Sequence, residues 1–255
     1  MDDKIEIFVF IIIVLISFVI LLRLATNFLG WIFSPSENPI LIDGMIDGRQ
    51  MTIIHQNPSK KGAIPILRSK NEFNGLEFTW SVWIFIDDVY YNNSQNDYAH
   101  IFHKGYINKD QGTPYLLLKK DTNELIVGTN TFDNVPGEVT IKDIPLNKWV
   151  NVIIRINKQK QLDVYINGTL VKRHLLNNIP KQNYGDVYTS LNGGFSGKIS
   201  SLRYFSESIG TYKIQSIVEA GPNLTSIAGN SISNSKPRYL ATRWFFNQVD
   251  DHYGE

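Results

Sequence analysis

The stretch FTWSVWIFI, residues 78–86, decides the fold of this chain. Its even-numbered positions are all apolar: Phe78, Trp80, Val82, Ile84 and Ile86. Because successive side chains of a β-strand point to opposite faces, these five would share one face. Thr79 and Ser81 fall on the other face, but so do Trp83 and Phe85. The pattern predicts a long strand that lies against a core on one face and is covered for part of its length on the other.

Short runs of similar pattern, bounded by Asn, Gly, Asp and Pro, occupy much of the chain on both sides of this strand. They cover residues 51–55, 99–103, 115–119, 125–129, 139–141, 149–156, 162–166, 169–175, 187–191 and 198–205. Asn167-Gly168 between two of the runs is typical of a type I′ hairpin turn, and Trp149 is expected to anchor the end of its strand in the core. Beyond the first 33 residues, helical character is confined to residues 211–219. Many strands without interleaved helices predict an all-β fold, an antiparallel jelly-roll sandwich.

The first 33 residues have a different character. From Ile7 to Leu22 every residue is apolar except Ser17, and residues 5–25 would span about 31 Å as a helix, which matches the hydrocarbon core of a bilayer. The acidic start and the lack of a small-x-small cleavage site argue against a signal peptide. We therefore predict a single-pass N-terminal membrane anchor with residues 5–25 in the lipid. Its orientation stays open because Lys4 and Arg23 balance each other.

These patterns divide the chain into four parts. Residues 1–33 are the membrane anchor, residues 34–69 a linker with the first edge strands, residues 70–222 the jelly roll, and residues 223–255 a C-terminal tail. The tail holds five aromatic residues, four of which are Tyr239, Trp244, Phe245 and Phe246. We expect it to pack on or near the sandwich, with docking onto a neighbouring protein as the alternative.

Several motifs, in order, resemble laminin-G-like, concanavalin A-like lectin and glucanase domains. They are residues 78–86, IFHKG at 101–105, IPLNKWVNV at 144–152, LDVYING at 162–168 and GGFSGKISSLRYF at 193–205. With the N-terminal anchor, residues 41–45 and residues 221–224, the chain further resembles membrane-anchored lectin-like proteins of large DNA viruses. The resemblance implies a concanavalin A-like jelly roll used for binding, adhesion or glycoside hydrolysis.

Composition excludes several classes of function. The chain has 25 Lys and Arg against 24 Asp and Glu, and without a basic block it is not expected to bind nucleic acid. It contains no cysteine, which excludes a disulfide framework, a Cys-ligated metal site and a thiol nucleophile.

The sequence gives no sign of catalytic carboxylates. Retaining glucanases with this fold resemble one another in a Glu-x-Asp-x-Glu strand, whose alternate residues place nucleophile and acid about 5 Å apart. Neither Glu-x-Asp nor Asp-x-Glu occurs in this chain. We therefore assign no catalytic residue and expect that the protein is not an enzyme.

Two other candidate sites are also weak. His100 and His103 lie three apart in a predicted strand, so one should point inward and the other outward, and they could share a metal only across a bulge. Ser196 misses a Gly-x-Ser-x-Gly elbow by one position. We expect Ser196 to lie in a tight turn.

Calcium and sugar binding stay open. Calcium at the sandwich rim is an alternative to solvated turns, with candidate ligands at Asp87, Asp88, Asp97, 121–124 and 133–134. Sugar binding needs aromatic platforms beside planar polar groups in surface loops, a composition found at residues 90–93, Tyr106 and Asn183-Tyr184. No metal or cofactor ligand is assigned.

We therefore predict a non-catalytic, membrane-anchored binding or structural protein. The first hypothesis is a virion membrane or minor capsid-associated protein that links a membrane to a protein shell. The alternatives are a lectin-like attachment protein that binds glycans, and a degenerate glycoside hydrolase. The expected partners are the lipid bilayer and either other structural or capsid proteins or glycans.

Overall fold

The computed structural model describes residues 2–69, 71–73, 75–89, 97–107, 112–133 and 135–227. An N-terminal helix, α1 (Asp2–Phe33), belongs to one compact unit, and the β-sandwich belongs to another. Residues 90–93, Asn134 and the aromatic tail from 231 to 255 lie outside the described residues.

The helix α1 contains a continuous apolar segment, Ile5–Ile32, of 28 residues with a mean hydropathy of 3.3. By length and composition this helix can cross a membrane. A signal sequence near an N-terminus would pass the same test. The predicted bilayer segment, residues 5–25, falls within it.

The sandwich consists of two six-stranded antiparallel sheets. Sheet A has the order β1 (Met45–Asp47), β14 (Ser196–Phe205), β5 (Phe78–Asp88), β10 (Trp149–Asn157), β11 (Gln161–Ile166) and β12 (Thr169–Leu175). Sheet B has the order β2 (Thr52–Ile54), β13 (Val187–Thr189), β6 (Tyr98–Lys104), β7 (Tyr115–Lys119), β8 (Leu125–Thr129) and β9 (Gly137–Ile141). A small hairpin, β3 (Asn71–Glu72) and β4 (Gly75–Leu76), precedes β5. The predicted all-β antiparallel sandwich is confirmed.

The central strand β5 follows its sequence pattern. Trp80, Val82 and Ile84 lie in the core between the sheets, each at most 2% exposed. On the outer face Trp83 is buried, and Phe85 packs edge-on against Trp149 with the ring centres 5.5 Å apart. Trp149 begins β10, but it lies on the outer face. The expectation that Trp149 anchors the core is therefore wrong, because its place opposite Phe85 in the ladder fixes which way it points.

The structure also differs from the sequence prediction at short elements. The strand β1 and the β3–β4 hairpin have two or three residues each, too short to show an alternating pattern. The run 187–191 is only partly a strand, because Leu191–Gly193 forms a 3-10 turn after β13.

A short helix, α2 (Thr211–Ala220), contributes to a second apolar cluster beyond the main core. This cluster contains Ile153, Tyr165, Phe205, Ile209, Ile214 and Ile217. Nearby, the fully buried carboxylate of Asp163 accepts hydrogen bonds from Arg155 at 2.7 Å and from Arg173 at 2.8 Å. After α2 the chain returns to the edge of sheet A, where Met45 bonds to residues 225 and 227.

Two turns depend on residue type. Asn167 and Gly168 have φ angles of 49° and 81°, so both adopt the left-handed conformation that a type I′ turn requires. Gly197 in β14 has no room for a side chain, because a Cβ there would collide with the carbonyl oxygen of Phe85. Its lack of a side chain lets β14 approach β5 closely, as predicted.

Candidate functional site

A cavity of about 450 Å³ opens at one end of the sandwich. Segments that follow β2, β6, β8, β10 and β12 surround it, so its wall is assembled from parts of the chain that are distant in sequence. Its volume lies within the range of roughly 300–1,000 Å³ that is usual for small-molecule sites.

The floor of the cavity is aromatic and rigid. It includes Phe78, Trp80 and Tyr204, which are buried between the sheets. The Trp80 ring lies 5.2 Å from the ring of Tyr204 and 5.7 Å from that of Phe102. Burial raises the pKa of Tyr204, so its phenol stays neutral.

The rim carries two exposed aromatic rings, Phe132 at 60% exposure and Tyr184 at 84%. Asn183 lies beside Tyr184, so the structure brings the predicted Asn183-Tyr184 pair to the cavity. Tyr106 is exposed on the segment after β6, but it is not among the lining residues.

Lys104, the last residue of β6, lines the cavity and is only 6% exposed. Its Nζ atom donates to the backbone oxygens of Asn183 at 3.0 Å and Gly185 at 2.5 Å, and to Oδ1 of Asn183 at 3.3 Å. Burial lowers the pKa of Lys104 to about 8, although Asp186 acts in the opposite direction. The lysine therefore links the end of β6 to the 183–185 segment.

A close backbone contact fixes the same wall. A Cβ at Gly185 would collide with the backbone of Gly105. The Gly105 N–H also donates to the carbonyl of Asp186 at 2.9 Å. These contacts fix the positions of Asn183 and Tyr184 relative to Lys104.

Two buried polar atoms of lining residues have no hydrogen-bond partner: Oγ1 of Thr113 and Oε1 of Gln182. The other end of the Gln182 amide donates to Ser69 at 2.5 Å, which fixes its orientation. Buried polar groups are nearly always paired, so unpaired atoms in a cavity wall indicate a place where a ligand or water could supply the missing bond.

His100 and His103 contradict their sequence prediction. The β6–β7 register shifts between His100 and Phe102, and this bulge turns both imidazoles to the face away from the core. His100 Nε2 lies 2.7 Å from His103 Nδ1. The expectation of one inward and one outward histidine is therefore wrong, and the two rings bond to each other.

The loop carboxylates that were considered for calcium are scattered. Within the described part of the chain, no group of three or more His, Asp or Glu could hold a metal ion. Asp133 accepts hydrogen bonds from the Thr131 hydroxyl and the Val135 N–H, and Glu124 pairs with Lys119. Calcium binding stays an open alternative to solvated turns.

Ser196 begins β14, and its hydroxyl accepts a hydrogen bond from Arg49 at 2.8 Å. The predicted tight turn lies a few residues earlier, at Leu191–Gly193. The placement of Ser196 in the turn itself is therefore wrong.

Comparison with solved structures finds the same fold in binding domains of bacterial toxins. The receptor-binding domain of botulinum neurotoxin D shares 18% identity over 70% of this chain and 43% of that chain, with a TM-score of 0.51. The binding domain of botulinum neurotoxin serotype G shares 14% identity over 69% of this chain and 46% of that chain, with a TM-score of 0.50. This chain thus spans less than half the length of either domain.

Comparison with curated protein sequences finds no match. The family model of the concanavalin A-like lectin/glucanases superfamily matches residues 60–215. That range covers more than half of the chain and contains both sheets except the short edge strands β1 and β2. The chain therefore belongs to the concanavalin A-like lectin/glucanase superfamily.

Proposed function

We propose that this protein is a non-catalytic glycan-binding protein that holds its ligand in the cavity at the end of the sandwich. The observation that carries the proposal is the juxtaposition of exposed rings, Phe132 and Tyr184, with the amides of Gln182 and Asn183 above an aromatic floor.

This combination suits a saccharide chemically. One face of a sugar ring is lined by C–H groups, which pack on aromatic rings, while its hydroxyls need planar donors and acceptors. Tyr184 and Phe132 offer the rings, and Gln182 offers its amide, whereas the Asn183 amide is bonded to Lys104 and to the Gly185 N–H. The unpaired Oε1 of Gln182 is an acceptor for a ligand hydroxyl.

The proposed role is binding and not hydrolysis. Retaining glycosidases need two carboxyl groups about 5 Å apart. The lining residues of this cavity, as far as the structure describes the chain, include no Asp or Glu. The site therefore offers aromatic and amide contacts to a sugar, but no acid–base pair.

The proposed function is tested on a glycan array with the full chain in detergent micelles, with and without calcium. We expect saturable, sugar-competed binding that Tyr184→Ala weakens by about tenfold, because stacked aromatic residues contribute strongly to binding. Tyr212→Ala is the matched control, since Tyr212 on α2 is 89% exposed and is not a lining residue of the cavity. Equal losses in both variants, or no glycan binding at all, would refute the proposal.

A second candidate is the structural role: a virion membrane protein that links the membrane to a protein shell. The observation that favours it is α1, which has the length and composition to anchor the sandwich in a bilayer. Mass spectrometry of purified particles before and after detergent extraction tests this role. Absence of the protein from particles would exclude it.

We also propose that the segment 223–255 closes on the sandwich. Thr225 and Ile227 already bond to Met45 at 2.8 and 2.9 Å. Deleting the chain from Leu240 onward should then reduce cooperative unfolding. Intact folding with loss of a binding partner would instead favour docking of the tail onto a neighbour.

A further inference from the structure

We propose that the cavity selects acidic saccharides, sugars of one or two rings that carry a carboxylate or a sulfate. This inference rests on the proposed glycan-binding function and specifies the ligand of the same site.

The first observation is the charge of the residues that line the cavity. Arg68 and Lys104 are the charged residues that line the cavity in the described part of the chain, and both are cations. The chain as a whole is nearly neutral, with 25 basic and 24 acidic residues. The positive character of the cavity is therefore a local property of the site.

The second step is the environment of Lys104. Its three hydrogen bonds all end on neutral oxygens, those of Asn183 and Gly185. It forms no ion pair with any carboxylate of the described residues. A buried charge without a counter-ion is costly. Asp186 acts on this charge without forming an ion pair with it, so an anion bound in the cavity would supply a direct counter-charge.

The nearest carboxylates are already engaged. Asp186 accepts the ring N–H of His55 at 2.7 Å and the Gln56 N–H at 2.8 Å, and it lies 3.7 Å from the Lys60 ammonium. These contacts hold Asp186 on the β2 side of Lys104. It is not a lining residue of the cavity.

Two further carboxylates that the structure describes near the cavity are held in the same way. Glu77 accepts the backbone N–H of Lys158 at 3.1 Å. Asp133 accepts hydrogen bonds from the hydroxyl of Thr131 and the backbone of Val135. Neither residue lines the cavity.

The third step is Arg68. Its side chain is exposed at the cavity and makes no hydrogen bond or ion pair with the described residues. A guanidinium presents a planar pair of donors that matches a carboxylate or a sulfate. Arg68 can therefore donate hydrogen bonds directly to the acidic group of the sugar. The more deeply buried Lys104 attracts the same group through its charge.

The test compares matched sugars on the full chain in detergent micelles. A glycan array carries neutral oligosaccharides beside derivatives that differ only in a uronic carboxylate, a sialic acid or a sulfate. We expect acidic members to bind about tenfold more tightly than their neutral partners, since charge-assisted hydrogen bonds are about twice as strong as neutral ones. Added salt should reduce this preference, because exposed charges are screened.

Variants then locate the preference. Calorimetry then measures the affinity for α-1,4-digalacturonate and for neutral α-1,4-galactobiose. The acidic glycan that binds best on the array and its neutral parent are measured in the same way. We expect Arg68→Gln to weaken the acidic ligand by about fivefold and the neutral ligand little. Lys148→Gln is the charge-matched control, because Lys148 is exposed at the opposite end of the sandwich.

The outcomes separate this inference from the proposed function. Binding of neutral sugars that depends on Tyr184, without an acidic preference, would overturn the inference and leave glycan binding intact. An acidic preference that Lys148→Gln reduces as much as Arg68→Gln does would also overturn it, since the preference would then come from net charge. Failure to bind any glycan would overturn both proposals.

Discussion

The imidazoles of His100 and His103 form one hydrogen bond of 2.7 Å within a continuous chain of donors and acceptors. The N–H of Leu191 donates to Nδ1 of His100 at 3.1 Å, and Nε2 of His103 lies 2.8 Å from the carbonyl oxygen of Tyr106. Every position is satisfied when both rings are neutral and carry their proton on Nε2. A second proton on His103 would bind Nδ1, which could then no longer accept the hydrogen bond from His100. The chain of hydrogen bonds would be broken at that point.

This arrangement predicts that the protein loses stability in mild acid. Burial lowers the pKa of His103, with Lys104 adding to the effect and the bond to Tyr106 opposing it. Below the ordinary pKa of 6.5, His103 of the unfolded chain binds a proton, whereas His103 of the folded chain stays neutral. The contribution of His103 to the free energy of unfolding is therefore present above that pH and decreases as the pH falls. We expect a loss of up to about 1.4 kcal/mol per pH unit from this group.

Thermal or urea unfolding of the micelle-bound chain between pH 7.5 and pH 5 measures this loss. His103→Gln should flatten the profile by one proton, whereas His174→Gln, on the exposed edge strand β12, should leave it unchanged. Parallel profiles for the wild type and His103→Gln would contradict the prediction.

The buried ion pair of Asp163 should be essential for stability. Asp163→Asn would leave the 9%-exposed guanidinium of Arg155 without its carboxylate, at a cost of about 3 kcal/mol in the free energy of unfolding. Asp87→Asn, on the exposed end of β5, should cost less than about 0.5 kcal/mol. Chemical denaturation of the three proteins side by side decides this point, and a small effect at Asp163 would mean that the pair is replaceable.

Gly197 should not tolerate alanine. The new methyl group would meet the backbone of Phe85, which cannot move without breaking the β5–β14 ladder, and we expect a loss of about 3 kcal/mol. Gly210→Ala is the control, because no atom lies within 4 Å of a Cβ there. Melting temperatures should separate the two variants clearly, and similar values would show that the strands have more freedom than their packing indicates.

Binding of acidic sugars should weaken in alkaline solution. The pKa of Lys104 is lowered to about 8, so its ammonium is present below that pH and is lost above it. We expect the affinity for an acidic glycan to fall by up to about tenfold per pH unit above pH 8. The neutral parent glycan should show a much flatter profile.

Calorimetry from pH 6.5 to pH 9.5 gives these profiles. Arg68→Gln should keep the pH dependence at lower affinity, because Lys104 is still present. Lys104→Met should remove it. A wild-type affinity that is independent of pH would exclude a role for the lysine charge.

The apolar helix α1 is expected to hold the protein in the membrane. A charge at its centre, as in Leu15→Arg, should cost about 2.5–3.5 kcal/mol on insertion and shift the protein from the membrane to the aqueous fraction. Ser36→Arg, beyond the apolar segment, is the control. Carbonate extraction measures both, and mass spectrometry of the N-terminal peptide shows whether the segment is retained. Recovery of a chain that starts after the helix would identify a signal sequence.

Most of the sheet structure could be predicted from sequence because its signal is local. Residues 78–86 alternate, and the structure places Trp80, Val82 and Ile84 in the core as the alternation requires. The turn at Asn167-Gly168 is equally local, since both residues adopt left-handed conformations at little cost.

The cavity could be predicted only in part. Asn183-Tyr184 has a recognisable composition, but Arg68, Lys104 and Phe132 meet it only after the chain has folded. The histidine pair was missed for a different reason. A bulge next to His100 reverses the side on which a later residue points, and side-chain alternation cannot reveal it.

The hydrogen bonds between Met45 and residues 225 and 227 have a mechanical consequence. Residues 39–45 enter the sandwich along the edge at which residues 225–227 bond to it, and Pro39 also bonds to Tyr204 of the same sheet. Because Met45 and Ser226 form a parallel bridge, a pull on residue 39 against residue 227 would shear these edge hydrogen bonds, which would carry the load together. The force would therefore act first on this edge of sheet A, through β1 and its neighbour β14.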